Sequence, residues 1–284
     1  MKNLICVAVL LIANLSFGAK ADTLDIPSAA MDKTYKAAVL LPDSYAKSKA
    51  NYPVMYLLHG AYGHFRDWLK NTPDKMVLHR LADQYNMIIV MPEGENFSFY
   101  LDSPVTKSLF ETYITKEVIG KIDKTYRTVA QKNGRVITGL SMGGHGAMYL
   151  STRHPDLFCA AGSMSGALDM SRMRNAESAE RVNKLLEPVY GTTPATDAEL
   201  ASHSIVNMMD KIKANGLPVI VDTGVDDFLI ESNREFHQRM VYNKIPHDYT
   251  ERPGAHTWEY WGNAVPYHVL FFSKIFAQNG TAVK

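Results

Sequence analysis

The sequence predicts an α/β protein, with a mostly parallel central sheet, helices on both faces and a small cap segment. Three observations carry this. Short apolar, β-branched runs alternate with longer amphipathic segments along the chain. Runs such as "VMYLL" and "MIIVM" are continuously apolar, as central strands buried on both sides require. No repeat, linker or low-complexity tract breaks the rhythm, so the sequence reads as one domain behind a leader.

The leader comes first. Lys2 precedes the apolar run "LICVAVLLIA", and Ala19-Lys20-Ala21 fits a small-x-small cleavage site. Residues 1–21 are therefore expected to be a signal peptide and residues 22–284 the folded domain, exported to the periplasm or beyond. The run is short against the ~20 residues of a membrane span, so no stable span is expected after cleavage. Strands are predicted at 36–41, 53–58, 87–91, 135–140, 157–164, 217–222 and 246–251. Helices are predicted at 73–85, 106–126, 142–154, 198–214, 229–243 and 257–277. Two stretches depart from the alternation: a polar-aromatic loop at 94–104, and an excursion at 166–197 with a weak helix around 177–187. Ligands bind beyond the carboxyl ends of strands in such sheets, so the excursion is read as a cap over a site.

Composition narrows the function. With 46% hydrophobic residues in 284, the chain can bury a large core. Its formal net charge is +1 and it has no basic stripe, which argues against a nucleic-acid partner. Of two cysteines, Cys6 lies in the leader and Cys159 in an apolar strand, so no internal disulfide is expected. Neither CxxC nor HExxH occurs and the ten histidines are scattered, so no metal or cofactor is expected.

The informative stretch is "RVITGLSMGGHGAMYL", residues 135–150, with one serine among four glycines between a strand and a helix. Gly139-Leu140-Ser141-Met142-Gly143 fits the G-x-S-x-G turn, in which a serine stands exposed on a strained backbone and larger neighbours would clash. No lysine follows as a phosphate-binding loop requires, and the GxGxxG spacing is absent. The turn also puts the Met142 amide at a helix N-terminus, where a developing oxyanion is favoured.

A serine hydroxyl needs a histidine to take its proton and an acid to orient that histidine. In this kind of sheet they follow in the order serine, acid, histidine. His256, in the loop "RPGAHTW" after the last predicted strand, meets the requirement, whereas His237 and His268 fall inside predicted helices. The acid is sought in "VDTGVDDFL", where Asp226 and Asp227 are adjacent; one would orient His256 and the other cap the next helix. Asp222 still belongs to the strand. The second oxyanion donor is expected after an early strand, in "LLHGAYG", at the amide of Ala61. Tyr62, Phe97, Phe99 and Tyr100 are candidates to flank an aromatic acyl group, with Trp258 beside His256.

These pieces resemble the esterase family of α/β-hydrolases, which includes S-formylglutathione hydrolases (esterase D), tributyrin esterases, feruloyl and acetyl xylan esterases and the mycolyltransferases. "YLLHGAYG…DW", "GLSMGGHGA", "GVDDFL" and "GAHTWEYW" occur in the family's order and span nearly all of the chain after the leader. The resemblance implies an α/β-hydrolase fold and a serine carboxylester hydrolase. It places the triad acid on Asp227 and the oxyanion hole on the amides of Ala61 and Met142. With export, it implies removal of feruloyl or acetyl groups from plant polysaccharide fragments. The alternatives are a general short-chain carboxylesterase and an acyltransferase of the mycolyltransferase type. The chain departs from the family in two places. Ser98-Phe99-Tyr100 stands where Ser-Trp-Tyr is common, and 166–197 matches no one subfamily.

Overall fold

The computed structural model describes residues 19–173 and 179–283. Most of the predicted leader, residues 1–18, lies outside them, as do residues 177 and 178 of the weak helix. Among the described residues eight strands form one sheet: β1 Lys20–Ser28, β2 Lys33–Leu41, β3 Val54–Leu58, β4 Ile88–Pro92, β5 Arg135–Gly139, β6 Ala160–Met164, β7 Val219–Gly224 and β8 Asp248–Arg252. Their order is β1-β2-β4-β3-β5-β6-β7-β8. From β4 to β8 neighbours run parallel, while β2 pairs antiparallel with both β1 and β4. The order reverses between β3 and β5, so the loops after those strands open onto the switch point where such sheets hold ligands.

All seven predicted strands are present, with ends within three residues of those expected. The sequence reading missed β1, and the reason is physical. As an edge strand with Lys20, Asp22 and Asp25 facing solvent, it buries only Ile26 and Ser28 and carries no apolar alternation.

The helices are α1 Asp67–Lys70, α2 Val77–Gln84, α3 Phe110–Thr112, α4 Ile119–Thr125, α5 Met142–Arg153, α6 Met170–Met173, α7 Ala179–Tyr190, α8 Asp197–His203, α9 Met209–Asn215, α10 Ile230–Tyr242 and α11 Trp258–Gln278. A π-helical stretch, Tyr113–Val118, joins α3 to α4, so the helix predicted at 106–126 runs nearly its expected length. Successive strand residues point to opposite faces. Ala37, Val39, Tyr56 and Leu58 enter the core under α3–α5, α9 and α10, whereas Ala38, Leu40, Met55 and Leu57 meet α2 and α11.

The helix predicted at 198–214 is broken. Thr196 and Glu199 form a capping box that starts α8, and Ser204 then turns extended (φ −76°, ψ 124°). Its hydroxyl donates to Leu200 O at 2.8 Å and accepts from the Met170 amide at 2.9 Å, tying the end of α8 to the cap. A tertiary partner outweighs local helix propensity there.

Candidate active site

Ser141 sits in the turn between β5 and α5 at φ 55°, ψ −118°, a conformation costly for any side-chain-bearing residue. The flanking glycines make it possible. A Cβ on Gly139 would lie 2.6 Å from the Gly143 carbonyl, and one on Gly143 would lie 2.5 Å from His59 O. The Ser141 amide donates to Met164 O at 2.9 Å, and its carbonyl accepts from the His145 amide at 3.0 Å. Both bonds hold the strained residue in place.

His256 Nε2 lies 2.9 Å from Ser141 Oγ, and Nδ1 lies 3.0 and 2.9 Å from the two oxygens of Asp227. The serine hydroxyl donates to Nε2, and Nδ1–H donates to the carboxylate. The imidazole is therefore in the tautomer a general base needs. Thr257 caps α11 directly after His256, and the rings of Phe228 and Trp261 stand 4.5 and 4.8 Å from the imidazole.

Asp227 is buried. Burial pushes its carboxyl up, but the His256 hydrogen bond and charge, the Leu229 amide and the Ser165 hydroxyl outweigh that and hold it below the usual value. The division of labour expected between the adjacent aspartates does not occur. Asp227 Oδ1 also accepts from the Leu229 amide at 2.8 Å, so one residue orients His256 and supports the turn into α10. Asp226 is exposed, with its amide bonded to Gly254 O. Asp222 is buried against Arg252 and Tyr260.

The amides of Ala61 and Met142 border the same space as Ser141 Oγ. Among the described residues neither donates to a backbone or side-chain acceptor. Met142 opens the twelve-residue α5, so its amide adds the helix's partial positive charge. A Cβ on Gly60 would lie 3.4 Å from Ser141 Cβ, which shows how closely the β3 loop approaches the serine.

The space is a cleft of about 980 Å³. Tyr62, Phe97, Phe99 and Trp258 line it from the sheet side, and Met173, Val182 and Leu185 from the cap. Tyr62 is 73% exposed, its ring edge-on to Phe97 at 4.4 Å. Tyr100 is not a lining residue, which corrects the expectation that it touches substrate. Phe99 and Tyr100 both have positive φ (48° and 58°), and Tyr100 is turned inward beneath the loop. Its ring occupies the space beside Gly94 and Gly146, and its hydroxyl donates to His59 O at 3.1 Å.

Among the lining residues that the sequence does not single out are Phe228, Arg172 and Arg181. Phe228 is 76% exposed, its ring 4.5 Å from that of His256. Arg172 pairs with Asp169 and with Glu235 of α10, fastening the cap to the sheet's helix layer. Two other buried histidines, His145 and His268, are absorbed by packing. His145 meets Phe99 O and His203 O, and His268 meets Thr138 Oγ1. Among the described residues no group of three or more metal-ligating side chains occurs, and no helix is long and apolar enough to cross a membrane.

Comparison with known proteins agrees with this geometry. The Esterase family, described as "Putative esterase", matches residues 28–272. An acetyl esterase of Caldicellulosiruptor saccharolyticus is 26% identical over 79% of this chain and 85% of its own. The diacylglycerol acyltransferase/mycolyltransferase Ag85A of Mycobacterium tuberculosis is 27% identical over 86% of this chain and 78% of its own. A solved ferulic acid esterase superposes with a TM-score of 0.77 at 30% identity, covering 92% of this chain and 99% of that one. A strained serine, an oriented imidazole, a buried carboxylate and two free amides thus meet at the switch point of the sheet, and the chain belongs to the Esterase family of α/β-hydrolase-fold carboxylester hydrolases.

Proposed function

We propose that this carboxylester hydrolase removes feruloyl or acetyl groups from plant polysaccharide fragments after export. Ser141 Oγ attacks the ester carbonyl while His256 Nε2 takes its proton, and the oxygen that gains charge is met by the amides of Ala61 and Met142. His256 then protonates the departing alcohol oxygen as the C–O bond breaks, leaving an acyl group on Ser141. Water repeats the sequence with His256 as base and releases the acid. The observation that carries the reading is the unbroken hydrogen-bonded line Ser141–His256–Asp227 opening into an aromatic-lined cleft. At about 980 Å³ that cleft is larger than an acetyl group alone requires. Similarity to an acetyl esterase and to a ferulic acid esterase supports the acyl groups named, and the charged, apolar start of the sequence supports export.

The test is kinetic. Ser141→Ala should lower turnover of p-nitrophenyl acetate by roughly 10³ or more. Measured side by side, kcat/KM should favour methyl ferulate or acetylated xylan fragments over butyryl esters. Preference for butyryl esters would instead establish a general short-chain carboxylesterase. Similarity to the mycolyltransferase favours a second reading, acyl transfer to a sugar or lipid hydroxyl. Product analysis with an added acceptor decides it, since more transfer product than free acid identifies a transferase.

A further inference from the structure

His59 takes no part in the acyl-transfer steps, yet it is 1% exposed in the loop that carries the Ala61 amide. Its Nδ1 lies 2.8 Å from the Gly60 carbonyl oxygen, and its Nε2 lies 2.8 Å from the Gly94 amide nitrogen. A carbonyl only accepts and an amide N–H only donates. Nδ1 therefore carries a proton, and Nε2 faces the Gly94 amide, which is shared with Glu93 Oε1, 3.1 Å from that amide and 3.2 Å from Nε2. The residue's own carbonyl accepts from the Tyr100 hydroxyl, and Gly60 O accepts a second bond from the Gly63 amide at 3.1 Å.

We propose that His59 is a positioning residue for the oxyanion site, its Nδ1–H fixing the Gly60–Ala61 peptide so that the Ala61 amide points at the oxygen that gains charge. The proposal rests on the esterase reading. The C=O of Gly60 and the N–H of Ala61 belong to one planar trans unit, so holding the oxygen fixes the direction of the hydrogen. Two donors on that oxygen leave the plane little freedom to rotate. The bonds also run in series, from the Gly94 amide to Nε2, from Nδ1–H to Gly60 O, and from the Ala61 amide to the oxyanion. Each polarises the next, by roughly 10–30% per bond. Gly60 packs against Ser141 itself, so a tilt of this peptide moves the donor relative to the reacting carbon.

The test separates the two ring nitrogens. H59N keeps an N–H donor near the Nδ1 position, H59Q places its amide near Nε2, and H59A removes both. H59Q and H59A should lose roughly 10–100-fold in kcat, part of the ~10²–10³ that a missing oxyanion donor costs, with KM changed by less than about threefold. H59N should stay within roughly fivefold of wild type. Full activity in H59Q, or H59N as slow as H59Q, overturns the proposal. Independently of how any variant folds, nitrogen NMR of the unmodified enzyme should find His59 protonated at Nδ1, and a ring protonated at Nε2 alone overturns it too. Absence of Ser141-dependent turnover in the wild type would sink the esterase reading. Normal wild-type turnover with donor-independent rates across the His59 series would sink only the positioning role.

Discussion

Gly143→Ala tests how tightly the elbow and the oxyanion loop are coupled. The added methyl would stand 2.5 Å from His59 O and 2.7 Å from Leu58 O, where ordinary contact begins at 3.4 Å. Both neighbours are backbone, so no side-chain rotation relieves the overlap, and the start of α5 and the end of β3 must separate by roughly 0.9 Å (3.4 − 2.5). One of those elements carries Ser141 and the Met142 amide, and the other leads into the Ala61 amide. A misplacement of ~1 Å between reacting groups costs about 10² in rate. Overpacking of this kind costs ~1–3 kcal/mol, which lowers Tm by about 2–12 °C in a domain of this size. Stopped-flow and steady-state kinetics on p-nitrophenyl acetate, with thermal unfolding followed by circular dichroism, check both. If the variant melts early yet keeps kcat within about threefold of wild type, the strain relaxes away from the site and the coupling argument fails.

Two other outcomes follow from the same geometry. Asp227→Asn should lower kcat by about 10⁴, because the amide can hold the imidazole in the wrong tautomer, whereas Asp226→Asn should stay within about twofold; the opposite ranking in steady-state kinetics would mean that the wrong carboxylate has been assigned. Stability should fall with acidification well before the carboxyls titrate. Burial lowers His145 to about 4 and His268 to about 3 from 6.5. The unfolded chain therefore takes up protons first, and the stability these residues contribute is complete above about 6.5 and lost as pH falls toward 4. At ~1.4 kcal/mol for each tenfold change in proton affinity, the fall of His145 from 6.5 to about 4 corresponds to roughly 3–4 kcal/mol. The depressed carboxyls of Asp227, Glu93 and Glu111 add their loss only below the ordinary carboxylate value of ~4. Calorimetry near pH 5.5 should register net proton uptake on unfolding, and a Tm unchanged between pH 7 and 5 would contradict the burial of these rings.

How much of this was legible in sequence differs from residue to residue. Ser141 and His256 were readable because their roles leave local marks: small residues around a strained turn, and an imidazole in a Pro-Gly loop between the last strand and the last helix. Tyr100 was misread because aromatic side chains in a loop carry no sign of which way they face, and two successive positive φ angles turned this one inward. Strand β1 was missed because an edge strand needs little apolar surface to exist once β2 offers its free backbone groups. The helix at 198–214 was predicted whole because Ser204 finds its cap partners at residues 169 and 170, far along the chain.

The sequence by itself determined the alternation of strands and helices, the elbow and the order of the catalytic side chains, since periodicity, turn chemistry and small-residue spacing are properties of neighbouring residues. Only the tertiary structure decided that Asp227 both orients His256 and supports the turn into α10, that Tyr100 faces inward, and that His59 faces the Gly60 carbonyl. Those outcomes depend on groups brought together across separations such as the 115 residues between Ser141 and His256. No local pattern records where a distant strand will end.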